Sequence, residues 1–172
     1  MERGINRLII KTGEGDVSAL EALYRELGNG VYCYALSVLS DKSAAEDVLQ
    51  DTFVRVFTMA RTYTPGRNGR AWVYAIARNL CLDRLRAAKR TATQPGTEED
   101  AEQDVAAMDF IGDVELRDAL AKLDGDLRQI VLLHLAAGLK FREIAALHRE
   151  KQSKIEWAYY SAVRQLSSYY RV

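Results

Sequence analysis

The sequence predicts an all-α protein of two small helical domains joined by an acidic flexible linker, the C-terminal domain a helix-turn-helix. Three observations predict it. Apolar residues recur at helical spacing over long stretches in both halves of the chain. That periodicity dissolves from Thr91 to about Asp113, where Pro95-Gly96, polar residues and clustered acids read as a linker. The charge is segregated as well. Residues 61–90 carry net +7, residues 91–126 net −9 and residues 127–172 net +5, although the whole chain sums to zero. Two basic modules around an acidic insert suit two contacts with a polyanion, separated by a segment that avoids it. The expected division is 1–90, a linker at 91–113, and 114–172.

Composition narrows the class. Of 172 residues, 48% are apolar and 28% charged, which is ordinary for a soluble globular chain. The longest apolar run, Ile130 to Leu139 broken by His134, is too short to span a bilayer. Met1 to Ile10 lacks a signal-peptide core, so a cytoplasmic location is expected. Cys33 and Cys81 sit within apolar helical patterns and read as buried hydrophobes in a reducing compartment.

Taken in order, residues 16–39 place Ala19, Leu20, Leu23, Leu27, Val31, Ala35 and Leu39 at helical spacing. Gly28-Asn29-Gly30 punctuates them, predicting a helix pair or a kinked helix. A clearer helix follows. Ser43 and Glu46 have capping-box spacing, and Leu49, Phe53, Val56 and Ala60 form an apolar stripe behind them. Glu46, Asp47, Gln50 and Asp51 share another face, where they serve either as N-terminal stabilisers or as a dock for a basic partner.

Thr64-Pro65-Gly66-Arg67-Asn68-Gly69-Arg70 reads as a turn. It leads into a helix from Ala71 to about Ala88 with Val73, Ile76, Ala77, Leu80 and Leu85 on its core side. Asn79, Asp83, Arg86 and Arg90 line one polar face of that helix. A flexible basic loop with Tyr63, Trp72 and Tyr74 interleaved suits a polyanion with exposed bases, though a solvated basic helix has the same composition. Trp72 reads as core filler, with a stacking platform as the alternative.

The C-terminal half begins with a short helix near Val114 that ends at Asp124-Gly125. Asp126 with Gln129 forms a second capping pair, and Gly138 closes the helix it starts. Phe141 to Leu147 and Gln152 to about Tyr170 then make two helices across a short polar break, a helix-turn-helix arrangement. No catalytic constellation, Gly-rich phosphate loop or metal-ligand set is present in the pattern, so neither an enzyme nor a cofactor, metal or small-molecule substrate is expected.

Over residues 16–90 and 114–168 the chain resembles the bacterial RNA polymerase sigma factors of the extracytoplasmic-function type. The residues that carry it are the run Ala45 to Phe53; Phe57; Pro65 to Asn68; the run Arg70 to Asn79; and Asp83 to Arg86. Gly138-Leu139, Glu143-Ile144-Ala145, Ala162 and Leu166 extend it into the second domain. The resemblance implies that Glu46, Asp47, Gln50, Asp51 and Phe53 bind the polymerase clamp. It implies that Arg67, Asn68, Arg70, Trp72, Tyr74, Asn79, Asp83 and Arg86 melt and read the −10 element. It assigns the −35 element to Arg149, Lys151, Gln152, Ser153, Lys154, Trp157 and Arg164.

The chain departs from the family pattern at three places. His148-Arg149-Glu150 replaces a Leu-Gly-Ile-like turn, Glu156 and Ala158 stand at positions often basic, and Lys140 replaces a Ser cap. The expected partners are core RNA polymerase, promoter DNA and an anti-sigma factor, which can hold such a protein at the membrane. The alternative is a sigma-like regulator that binds polymerase or another partner with altered or lost −35 reading.

Overall fold

The computed structural model describes residues 2–91 and 114–169, and every element in them is helical. Eight α-helices follow one another: α1 (Glu2–Gly13), α2 (Val17–Leu39), α3 (Lys42–Met59), α4 (Gly69–Thr91), α5 (Val114–Ala121), α6 (Gly125–Leu135), α7 (Phe141–His148) and α8 (Gln152–Tyr169). A 3₁₀ turn, Ala60–Thr62, closes α3. The proposed linker lies outside the described residues, apart from Thr91, which ends α4. No helix among the described residues is long and apolar enough to cross a membrane.

Helix α2 is the spine, packing against α1, α3 and α4 on the N-terminal side and against α6 on the C-terminal side. Leu23, Leu27, Val31 and Tyr34 line it and are buried. It runs as one helix through Gly28-Asn29-Gly30, which rules out the helix pair of the two expected alternatives. Gly30 has a packing reason: a Cβ there would lie 2.2 Å from the Tyr74 hydroxyl of α4. The glycine lets two helices approach closely, and the stability lost to its helix propensity is recovered in burial.

Helix starts also differ from the spacing-based expectation. Asp41, not Ser43, caps α3, accepting from Ala44 N–H at 2.7 Å. Asp124, rather than Asp126, caps α6, accepting from Asp126 N–H at 3.0 Å. Each pair offers two eligible caps a few residues apart, and tertiary packing selects between them. Helix α6 ends at Leu135 with Ala136 as its cap, three residues before the expected Gly138; at φ 68° Gly138 instead turns the following chain so that Leu139 N–H meets the Leu133 carbonyl at 3.0 Å. Arg128 of α6 donates to the carbonyls of Leu120, Ala121 and Leu123 at 2.8–2.9 Å, satisfying the orphan acceptors at the end of α5.

Helix α1 has no counterpart in the expected elements. Ile5 and Ile9 are buried one turn apart and Thr12 follows, seating this short helix on α2, α4 and the 3₁₀ turn.

Candidate nucleic-acid interface

Thr64-Pro65-Gly66-Arg67 forms a turn in which Arg67 N–H approaches the Thr64 carbonyl at 3.4 Å and Gly66 takes φ 92°. Proline second and a positive-φ glycine third is the type II signature, so the residues dictate the backbone. The turn delivers the chain to Asn68, whose Oδ1 accepts from Ala71 N–H at 3.3 Å and opens α4. Arg67 is exposed and Asn68 half-buried. Arg70 is largely covered, and its guanidinium holds Glu26 of α2 at 2.6 Å.

Along α4, Asn79, Asp83 and Arg86 are exposed on one face, with Arg86 paired to Asp83 at 3.1 Å. Trp72 is half-buried and meets Tyr63 edge-on at 5.4 Å. Tyr74 requires correction as a DNA contact. Only 1% exposed, it packs edge-on against Tyr34, and burial raises its phenol pKa. Periodicity missed this because Tyr74 adjoins the apolar stripe, and its hydroxyl made it look polar.

The acidic face of α3 is real and outward. Glu46, Asp47, Gln50 and Asp51 are all exposed. Arg84 of α4 bridges Asp47 at 3.3 Å and Asp51 at 3.2 Å, joining the acidic face to the edge of the basic one. Such half-exposed pairs are weakly held, so an incoming cationic surface can replace Arg84 at little cost. Phe53 is the second correction: it is 5% exposed and is covered edge-on at 4.9 Å by Tyr24, a residue of the surface. Exposed Val54, Phe57 and Met59 are the large apolar groups that α3 presents outward instead.

In the C-terminal half, α7 and α8 meet across Arg149-Glu150-Lys151, with Arg149 in the left-handed region at φ 56°. Ile155, Ala158 and Ala162 are buried beneath α8. Arg149, Lys151, Gln152, Ser153, Lys154, Trp157 and Arg164 are all exposed, Trp157 at 65%. Two of the polar groups are engaged locally: Gln152 donates to Glu156 at 2.7 Å and Lys154 pairs with Glu150 at 2.6 Å. His134 stacks on Phe141 and meets Tyr159 edge-on, anchoring α6 to α7 and α8.

Helix α7 also packs on α4. Asn68 Nδ2 donates to Glu143 Oε1 at 2.8 Å, while Oε2 of the same carboxylate accepts from Lys140 N–H at 2.8 Å. A cavity of about 590 Å³ opens there between the loop and α7, with Trp72, Arg67 and Arg142 in its wall. Nearby, His148 Nε2 is buried without a hydrogen-bond partner. Burial, then the Arg78 charge, holds its pKa below the usual value.

One residue of this site was invisible in the sequence. Asn6 of α1 donates through Nδ2 to the Arg67 carbonyl at 3.0 Å and accepts from Gly69 N–H at 2.8 Å. Nothing but its place between Ile5 and Ile9 pointed to it. The cysteines are inert by comparison. Both are fully buried, and burial pushes each thiol up to about 12. No cluster of three or more metal-ligating side chains occurs among the described residues.

Comparison with known proteins adds four findings. The Sigma-70 region 2 family matches residues 23–91. The RNA polymerase sigma factor CarQ of Myxococcus xanthus is 33% identical over 138 residues, covering 78% of this chain and 79% of that one. BldN of Streptomyces coelicolor, an ECF RNA polymerase sigma factor, is 28% identical over 93% of this chain, which spans only 63% of BldN. Among solved structures, the sigma factor RpoE of Bartonella quintana, in complex with the anti-sigma factor NepR, shares the fold with a TM-score of 0.65. It is 21% identical over 88% of this chain and 96% of that one.

Proposed function

Since the chain belongs to the extracytoplasmic-function RNA polymerase sigma factors, we propose that it binds core RNA polymerase in the cytoplasm and directs promoter recognition, melting and initiation. Residues 1–90 are the polymerase-docking and −10-reading domain, 91–113 a linker, and 114–172 the −35-reading domain. The observation that carries this reading is the pair of opposed surfaces on neighbouring helices: an exposed acidic and amide face on α3, and an exposed Asn and Arg face on α4. A protein that binds duplex DNA alone has no use for the first. A subunit that must hold a basic protein surface and an unpaired strand together needs both.

Within this scheme Glu46, Asp47, Gln50 and Asp51 meet the polymerase, with Phe53 shaping the face from inside. Arg67, Asn68, Arg70, Trp72, Asn79, Asp83 and Arg86 take the non-template strand at the −10 element. Unstacking a base costs a few kcal/mol, which an ordered loop and helix offset by holding the base and its phosphates. Tyr74 contributes only by fixing α4 on α2. Arg149, Lys151, Gln152, Ser153, Lys154, Trp157 and Arg164 take the −35 duplex. An anti-sigma factor is the expected inhibitor; the structural relative named above is in complex with one.

The test is transcription with core polymerase on fragmented genomic DNA, sequencing the products to define the promoter. Asn79→Ala is expected to abolish opening, Asp51→Asn to weaken polymerase binding, and Lys154→Ala to weaken promoter affinity. Polymerase binding without any promoter-specific transcript would refute the proposal. A second reading, a regulator with diminished −35 recognition, is favoured by the Gln152–Glu156 and Glu150–Lys154 pairings, which occupy polar groups of α8. An unchanged promoter affinity in Lys154→Ala, with Asn79→Ala still defective, would select it.

A further inference from the structure

We infer that Asn6, on the first helix, is a positioning residue for strand capture: it clamps the backbone of the −10 loop in the shape that presents Arg67 and Asn68. The inference rests on the proposed promoter-opening role of that loop and extends it to a helix that precedes the Sigma-70 region 2 match.

The clamp is two-sided. Asn6 Oδ1 accepts from Gly69 N–H at 2.8 Å, one of the orphan donors at the start of α4. Asn6 Nδ2 donates to the Arg67 carbonyl at 3.0 Å, two residues earlier. Only a side-chain amide offers one acceptor and one donor at that separation. The Tyr63 hydroxyl donates to the same Arg67 carbonyl, so the peptide is held from both sides. With its carbonyl turned inward, residue 67 projects an exposed Arg side chain outward. The next residue, Asn68, is left to cap α4.

The rest of the geometry fixes Asn6 itself. Ile5 and Ile9 are buried on either side, which sets the rotation of α1. Gly69 is pressed so closely onto α1 that a Cβ would lie 2.6 Å from Asn6 Oδ1 and 2.7 Å from Ile9 Cδ1. At the far end of α1, Arg61 Nε donates to the Gly13 carbonyl at 3.0 Å. Helix α1 thus ties down the chain on both sides of the loop, before it at Arg61 and after it at Gly69. Pro65 and Gly66 shape the turn internally, and Asn68 Nδ2 ties its end to Glu143 of α7; the Arg67 peptide between them is held by Asn6 and Tyr63. A loop that must seize an unstacked base gains affinity from being ordered beforehand.

The experiment compares wild type, Asn6→Ala and Asn6→Asp in three measurements. These are amide exchange over residues 64–71 in the free chain, affinity for core polymerase, and holoenzyme binding to a fluorescein-labelled single strand. That strand carries the −10 sequence defined by the transcription assay above. For Asn6→Ala, loop amides are expected to exchange about tenfold faster and strand affinity to fall about tenfold, with polymerase affinity unchanged. Asn6→Asp keeps the acceptor for Gly69 but sets a carboxylate against the Arg67 carbonyl. It is expected to protect the Gly69 amide and still lose strand affinity. Strand binding equal to wild type in both variants would overturn the inference. A parallel fall in melting temperature, polymerase affinity and strand affinity would also overturn it, by making Asn6 merely structural. Failure of the wild-type holoenzyme to bind the strand would instead remove the underlying reading, and the inference with it.

Discussion

Replacing Gly30 with alanine places a methyl group 2.2 Å from the Tyr74 hydroxyl and 3.5 Å from the ring carbon bearing it. The first distance is impossible and the second ordinary. Tyr74 is 1% exposed and braced by Tyr34, so the ring has nowhere to swing, and α2 and α4 must separate. Overpacking of this kind costs about 1–3 kcal/mol, and a contact so short belongs at the upper end. Alanine recovers about 1 kcal/mol of helix propensity over glycine, leaving a net loss of about 2 kcal/mol. For a chain of this size that lowers the melting temperature by about 4–8 °C. In a Tyr74→Phe background the obstructing oxygen is gone, and Gly30→Ala becomes neutral to stabilising by about 1 kcal/mol. The assay is urea denaturation of wild type, both single variants and the double variant, giving an expected coupling of about 2–3 kcal/mol. Additivity to within about 0.5 kcal/mol would refute the reasoning, since it would mean the two residues do not meet. Tyr74→Phe alone should leave promoter opening intact, as a core residue requires and a base-contacting phenol does not allow.

Other expectations concern the C-terminal half. Arg149 sits at φ 56°, a strain that Arg149→Gly relieves by about 1 kcal/mol. Thermal stability should rise while −35 affinity falls, and loss of both would contradict the assignment. Glu143→Gln weakens the charge-assisted bond from Asn68, so loop amides of the free chain should exchange several times faster, which hydrogen exchange can measure. The folded-state pKa of His148 lies below its ordinary 6.5, so the unfolded chain takes up the proton first as pH falls. Stability is therefore full above pH 6.5 and declines below it, and denaturation curves from pH 7.5 to 5.5 should show a slope that His148→Gln flattens.

Much of this was legible in the residues. The stripe from Leu49 to Ala60, the turn at Pro65-Gly66 and the glycine at 138 each express a local rule, and local rules are what a sequence states openly. What stayed hidden was decided across the chain. Gly30 reads as a breaker until Tyr74 is seen above it. Phe53 belongs to the Leu49–Ala60 stripe, so periodicity placed it inside and only the resemblance sent it outward; Tyr74 lies at the border of its own stripe, where periodicity cannot say which neighbour will cover it. Asn6 makes its bonds more than sixty residues away, and no spacing encodes such a contact. The acidic and basic faces were visible because charge has a sign. The bridge through Arg84 was not, because reach depends on how α3 packs on α4.

The buried cysteines turn the protein into its own conformational probe. Burial pushes each thiol up to about 12, so little thiolate forms at neutral pH, and neither is reachable from solvent. Alkylation must wait for the helices to part. Cys33 lies on α2 and Cys81 on α4, so the labelling rate of each reports how often its own segment opens, with no engineered label. The same inertness means that an oxidant has no thiolate to attack in the closed protein.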